Sequence, residues 1–225
     1  MTFDYATLKV RHRSERANWP PALSLRVHRA LSWLDRAERE HSDPDARFVF
    51  LWIAFNAAYG HEIPDRQAFP EQKVLGQFLK RLVDGDQERL LYAVLWESYS
   101  GPIRLLIDNP FVYMPFWDFQ NGRLDEADWQ RRFGDAKAFA HRSIGRSDAH
   151  GVLLIVFERL YTLRNQLLHG GATWGGKVNR PQLRDAVAIM DALVPRIIHL
   201  MMNLSAQTWG DPSYPVVTDG GSVDR

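Results

Sequence analysis

No cysteine occurs anywhere in the 225 residues. That absence removes a disulfide framework, a cysteine nucleophile and any thiolate zinc site together, and it is compatible with a reducing compartment. A long apolar run is missing too. The longest, Phe48 to Ala54 ("FVFLWIA"), is far short of the roughly 20 residues that cross a bilayer. The N-terminal MTFDYATLKVRHRSER holds no apolar core of signal-peptide length. The expectation is a cytoplasmic protein with no membrane partner. An excess of one charge is also lacking: 28 Lys+Arg against 27 Asp+Glu leaves a net charge of +1. Any nucleic-acid contact must then come from a local patch. No stretch alternates with period two, no glycine-rich loop follows a strand, and the histidines other than His169 show no paired ligand spacing. Strands, a phosphate loop, a metal site and a cofactor are therefore not expected.

What is present is ordinary globular material, 45% hydrophobic and 24% charged. That is enough for one sizeable core without staples. The apolar period is helical almost throughout. It predicts helices at about 23–41, 44–60, 70–83, 86–107, 125–143, 149–169 and 180–205. Asp43-Pro44 is a start signal, with a cap followed by proline in the first turn; Gly60, Gly170 and Gly171 are stop signals. Ser100-Gly101-Pro102 should kink or split the fourth helix, and Pro195 should kink the last. The division expected is an N-terminal arm over 1–22, one all-α bundle of six to seven helices over 23–205, and a C-terminal tail over 206–225. The segment NPFVYMPFWDFQNG, 109–122, holds five aromatics and two prolines. It reads either as a loop folded over the core or as a surface for a protein partner or for stacked bases.

The stretch ERLYTLRNQLLHGGATWGG, 158–176, carries the chemistry. On a wheel of ~100° per residue, Leu153, Phe157, Leu160, Tyr161, Leu163, Leu167 and Leu168 form one apolar stripe. Arg164 falls near its middle, while Glu158, Thr162, Asn165 and His169 collect on the polar margin. A guanidinium on an apolar face needs a partner, because it cannot deprotonate and an unpaired buried charge is costly. It either closes a salt bridge inside a scaffold or serves a site. His169, at the helix end, either caps carbonyls as a favourable C-terminal cation or transfers protons. Asn56 interrupts the most apolar helix of the chain. Its amide either bridges helices or orients Arg164 or His169. Arg159, Lys177 and Arg180, with Arg164 and Arg184 around them, form a candidate basic patch for substrate.

The run RNQLLH is an arginine, a polar residue directly after it, and a histidine near a helix end. It resembles the Arg-x(4–6)-His motif of the HEPN superfamily of small all-α domains. WIAFNAAYG, 52–60, together with LYTLRNQLLHGG, 160–171, is similar to prokaryotic members in which an apolar helix precedes the motif helix. The likeness is best over 148–204 and thinner over 44–60. What it implies is a metal-independent endoribonuclease, in stress response or phage defence, working as a homodimer with both motifs in one cleft. Arg164 and His169 would be catalytic, with Asn165 and Asn56 in support. In toxin members, a tyrosine two places after the motif histidine carries a nucleotide modification. Gly171 stands there, so control of that kind is not expected. Two other functions fit the same residues: a HEPN-like module binding nucleotide, RNA or protein without cutting, and a scaffold with Arg164 salt-bridged inside.

Overall fold

The computed structural model describes residues 2–60, 71–177, 180–207, 209–212 and 214–216. The described residues form ten α-helices and no strand. They are α1 Tyr5–Glu15, α2 Pro21–Glu38, α3 Pro44–Tyr59, α4 Glu71–Gly85, α5 Leu90–Tyr92, α6 Ser100–Asp108, α7 Met114–Gln120, α8 Glu126–Gly145, α9 Ala149–Leu168 and α10 Arg180–Asn203. The all-α expectation therefore holds; six of the seven expected helices are present as single helices, and the fourth is divided. The larger number has three sources: helices in the supposed arm and the supposed loop, and a divided fourth helix. A π-helical stretch, Ala93–Ser98, follows α5, and α6 starts anew at Ser100 with Pro102 in its first turn. The Ser-Gly-Pro signal thus splits the helix, because proline lacks the amide hydrogen that a continuous ladder would need there. Among the described residues no helix is long and apolar enough to cross a membrane.

Aspartates set the helix starts. Asp43 accepts from the amides of Asp45 (2.9 Å) and Ala46 (3.1 Å), so α3 begins where Asp43-Pro44 puts it. Asp148 caps α9 through Gly151 N at 3.0 Å. Helix α3 is packed between α2 and α10, and its Arg47 grips Asp191 of α10 at 2.9 Å. On its other side, Phe55 of α3 stacks on Phe157 of α9 with ring centroids 4.3 Å apart. The two helices carrying the family resemblance are thereby in direct contact.

Both ends depart from expectation. Residues 5–15 are not a loose arm: α1 buries Leu8 and His12 against the bundle, and His12 Nε2 lies 3.2 Å from the Ser24 carbonyl. Its eleven residues are mostly polar, so periodicity could not reveal it. At the other end, the buried Arg26 donates to the carbonyls of Ala58 and Trp209, and Trp209 packs on Phe78 at 5.7 Å. Burial, with the charge of Arg81 added, lowers the Arg26 guanidinium to about 10. The start of the expected tail is thus part of the core; residues 217–225 lie outside the described residues.

The aromatic segment is folded over the core, the first of its two readings. Pro110–Val112 make a 3-10 turn and α7 follows. Tyr113 packs on Phe133 (5.3 Å), and Phe116 and Phe119 on Trp129 (5.2 and 5.9 Å), so these rings form a small apolar layer with α8.

Candidate functional site

Helix α9 is covered over most of its circumference. Val152, Leu153, Val156, Phe157, Leu160 and Leu163 are buried. On a wheel of ~100° per residue, the uncovered arc carries Glu158, Tyr161, Asn165, Leu168 and His169. Tyr161 is 39% and Leu168 47% exposed, so two members of the expected apolar stripe face outward. Arg164 lies at the border of the arc, half-buried, not at the centre of the buried face.

The buried arginine is Arg159. It is 0% exposed, with its guanidinium 4.2 Å from the Tyr113 ring centroid and 5.8 Å from that of Phe133. Among the described residues, Nε and both terminal nitrogens have no hydrogen-bond partner. Burial lowers its pKa, and the charges of Glu158 and Tyr113 act in the opposite direction. Arg159 therefore belongs to the aromatic layer and cannot reach a substrate, which corrects its place in the expected patch. A wheel drawn for one helix does not show which side α8 and the 110–113 turn will cover.

Arg164 behaves differently. Its Nη1 donates to Asn165 Oδ1 at 2.8 Å, and its guanidinium carbon stands 5.7 Å from the Tyr161 ring centroid. Among the described residues it forms no salt bridge with a carboxylate. Nε is buried without a partner. His169 is the C-cap: its backbone amide donates to the Asn165 carbonyl at 3.0 Å, while its side chain is exposed. Gly170 then turns the chain with φ +70, a conformation that suits glycine at a helix end. Leu168 and His169 sit four residues beyond Arg164 and Asn165, so the four share one outward edge over the last turn.

Asn56 does not meet either motif residue by a hydrogen bond among the described residues. It is half-buried and lines a cavity of about 660 Å³ between α3, α4, α8 and α9. The expectation assumed a sealed amide that had to find a partner; this amide opens on space. Trp52, Phe55 and Tyr59 of α3 form one wall. Phe157, Glu158 and Tyr161 of α9 form another, Phe139 and Ala136 of α8 a third, and Lys73 and Leu75 of α4 close the set. Tyr161 is the link between cavity and motif, because its ring lines the one and touches Arg164 of the other.

Arg180 is not available for substrate either. It forms a two-pronged salt bridge with Asp45, at 2.5 and 3.0 Å, and Asp45 is only 6% exposed. Gly175 N also donates to Asp45 at 3.3 Å, and Trp174 Nε1 donates to Asp43 at 2.7 Å. The GGATWGG stretch, which reads as a flexible connection, is thus strapped to the start of α3. Asp43 is held below the usual carboxylate range: burial alone would raise it, but bonds from Trp174, Ala46 and Asp45, and the charge of Arg180, outweigh that. Sequence reasoning did not find this pairing, since the partners are 135 positions apart. Lys177 is exposed beyond the strap. Of the expected basic patch, Lys177 and the exposed Arg184 remain outward-facing beside Arg164.

Protein-family models, curated proteins and solved structures were all compared with the chain, and none matches it. The HEPN resemblance accordingly rests on the residues quoted for it.

Proposed function

We propose that the chain is a metal-independent endoribonuclease of HEPN type, with Arg164 and His169 as its reacting groups and Asn165 as the residue that orients Arg164. The observation that carries this reading is the state of Arg164: a half-buried guanidinium held by a neutral amide, without a carboxylate, one turn from an exposed imidazole. A scaffold arginine would be expected in the condition of Arg180, neutralised by an aspartate. A cation left unneutralised suits a site that receives an anion from outside.

The chemistry is transfer of the phosphorus from the 5′-oxygen to the 2′-oxygen of the preceding ribose. A base takes the 2′-hydroxyl proton, O2′ bonds to phosphorus, the P–O5′ bond breaks, and an acid protonates the leaving oxygen. Imidazole serves either proton task near neutral pH. A guanidinium stabilises the charge that gathers on the phosphorane oxygens. One chain brings one such histidine, so a two-fold pair supplies both tasks. The outward-facing Tyr161, Leu168 and Phe139 support a pairing surface along α8 and α9. The second reading, a module that binds nucleotide, RNA or protein without cutting, draws support from the cavity beside the motif.

The test is cleavage of a mixed RNA in EDTA by wild type and His169→Ala, with light scattering on the same samples. Cleavage by a dimer, abolished in the variant, is the expected result. A monomer at high micromolar concentration would remove the two-fold site, and undiminished cutting by the variant would remove His169 from the mechanism.

A further inference from the structure

The cavity beside the motif has a chemistry of its own. Its walls are largely aromatic: Trp52 stands 5.7 Å from Phe55 and 6.1 Å from Tyr161, ring to ring. Phe139 of α8 is 44% exposed at the edge. A volume of about 660 Å³ falls within the ~300–1,000 Å³ usual for small-ligand sites, which pair apolar walls with a few polar groups. Here the polar lining residues are Glu158, Asn56 and Lys73. Among the described residues neither Glu158 nor Asn56 spends its side-chain hydrogen bonds on a protein partner. Flat aromatic walls suit a planar guest.

We propose that this cavity is a base-recognition pocket for guanine, with Glu158 reading the base edge and the exposed rings of Tyr161 and Phe139 against its face. This rests on the ribonuclease reading for its purpose, and on the cavity alone for its existence. A carboxylate only accepts hydrogen bonds. Guanine presents two adjacent donors, N1–H and the N2 amine, which one carboxylate can take together. Adenine and cytosine each offer a single amine flanked by an acceptor, and uracil a single N–H between two carbonyls, so each sets a lone pair against Glu158. The Asn56 amide can donate to guanine's O6 acceptor. The spacing also fits: six residues of helix separate Glu158 from Arg164, a rise of about 9 Å. That is within the reach of one nucleotide from base edge to phosphate.

The experiment is equilibrium binding of guanosine, adenosine, cytidine and uridine to full-length wild type, Glu158→Gln and Ala136→Phe. The last variant fills the cavity from α8 without touching Glu158. Guanosine is expected to bind at least about tenfold tighter than the others, within the range one bidentate base contact gives. Glu158→Gln should erase that preference, and Ala136→Phe should abolish binding of every nucleoside while circular dichroism stays unchanged. Equal affinity for the four nucleosides, or an unaltered preference in Glu158→Gln, overturns the proposal. The cleavage assay separates the two ideas: RNA cut without regard to guanosine, by a protein that binds none, ends the pocket and leaves the nuclease. Guanosine bound selectively by a protein that cuts no RNA ends the nuclease and leaves the pocket.

Discussion

Two arginines five positions apart on α9 have opposite surroundings. Arg159 is enclosed by Tyr113 and Phe133, its three guanidinium nitrogens without a hydrogen-bond partner among the described residues, while Arg164 is half-buried and held by Asn165. Cation–π contact can offset part of the cost of burying Arg159, at ~0.5–2 kcal/mol. It cannot replace five hydrogen bonds. The inner arginine is thus a buried structural element, and the outer one is the candidate for chemistry. The lesson is that a charge on an amphipathic helix cannot be judged from its own helix, because what covers it arrives from elsewhere in the chain.

The largest expected effect breaks this comparison if it fails. Arg164→Ala should lower RNA cleavage by ~10²–10⁴-fold, the range for loss of one group acting on the reacting phosphate or its protons. Arg159→Met should leave cleavage within a few-fold of wild type. Single-turnover rates on one RNA decide it. Equal losses in the two variants would mean that both arginines act through the fold.

Next in size is the strap after His169. Asp45→Ala removes a two-pronged, largely buried partner from Arg180 and the acceptor for Gly175. A hydrogen bond to a charged group contributes ~1.5–3 kcal/mol, and a loss of that order is expected in urea melts. Cleavage should fall as well if the strap holds His169 in register. Unchanged activity with reduced stability would confine the strap to a structural role.

A third measurement sharpens the inner half. Replacing a buried charge by an apolar side chain of similar volume often stabilises by ~1–4 kcal/mol. Loss of the cation–π contact subtracts ~0.5–2 kcal/mol. Arg159→Met should thus raise stability by roughly 1 kcal/mol, which for a chain of this size is about 2–4 °C in melting temperature. A marked fall would show that the stacked guanidinium is worth more than its missing hydrogen bonds.

Much of this was legible in the sequence. Six of the seven helices expected are found within a few residues of their expected spans, because caps such as Asp43 and stops such as Gly170 act locally; the fourth is divided. Helix α1 was hidden because it buries only Leu8 and His12. Helix α7 was hidden by the prolines around it, although Pro115 lies in its first turn, where its missing amide hydrogen is harmless. Of the site residues, the order Glu158, Tyr161, Arg164, Asn165, His169 along one helix could be read directly. The exchange of roles between Arg159 and Arg164, the Asp45–Arg180 pair and the cavity could not. All three depend on tertiary neighbours that no local period encodes.

The smallest effect concerns pH and the histidines of the core. His12 and His199 have lowered pKa values, burial being the first cause in each. His199, for example, is only 3% exposed and sits with Arg11 Nη1 3.1 Å from its Nδ1. Folding makes these rings harder to protonate, whereas the unfolded chain takes up protons near pH 6.5. Their contribution is complete above that value and is lost as pH falls below it. The half-buried carboxylates of Glu38 and Asp191 are raised by burial and act the other way, losing stability as pH rises. Wild type alone therefore mixes the two signs, and a variant is needed to isolate the imidazoles. Between pH 7.5 and 5.5, His199→Gln should show a smaller fall in melting temperature than wild type. An equal fall in the two proteins would mean that the buried His199 ring contributes nothing to the pH dependence of the fold.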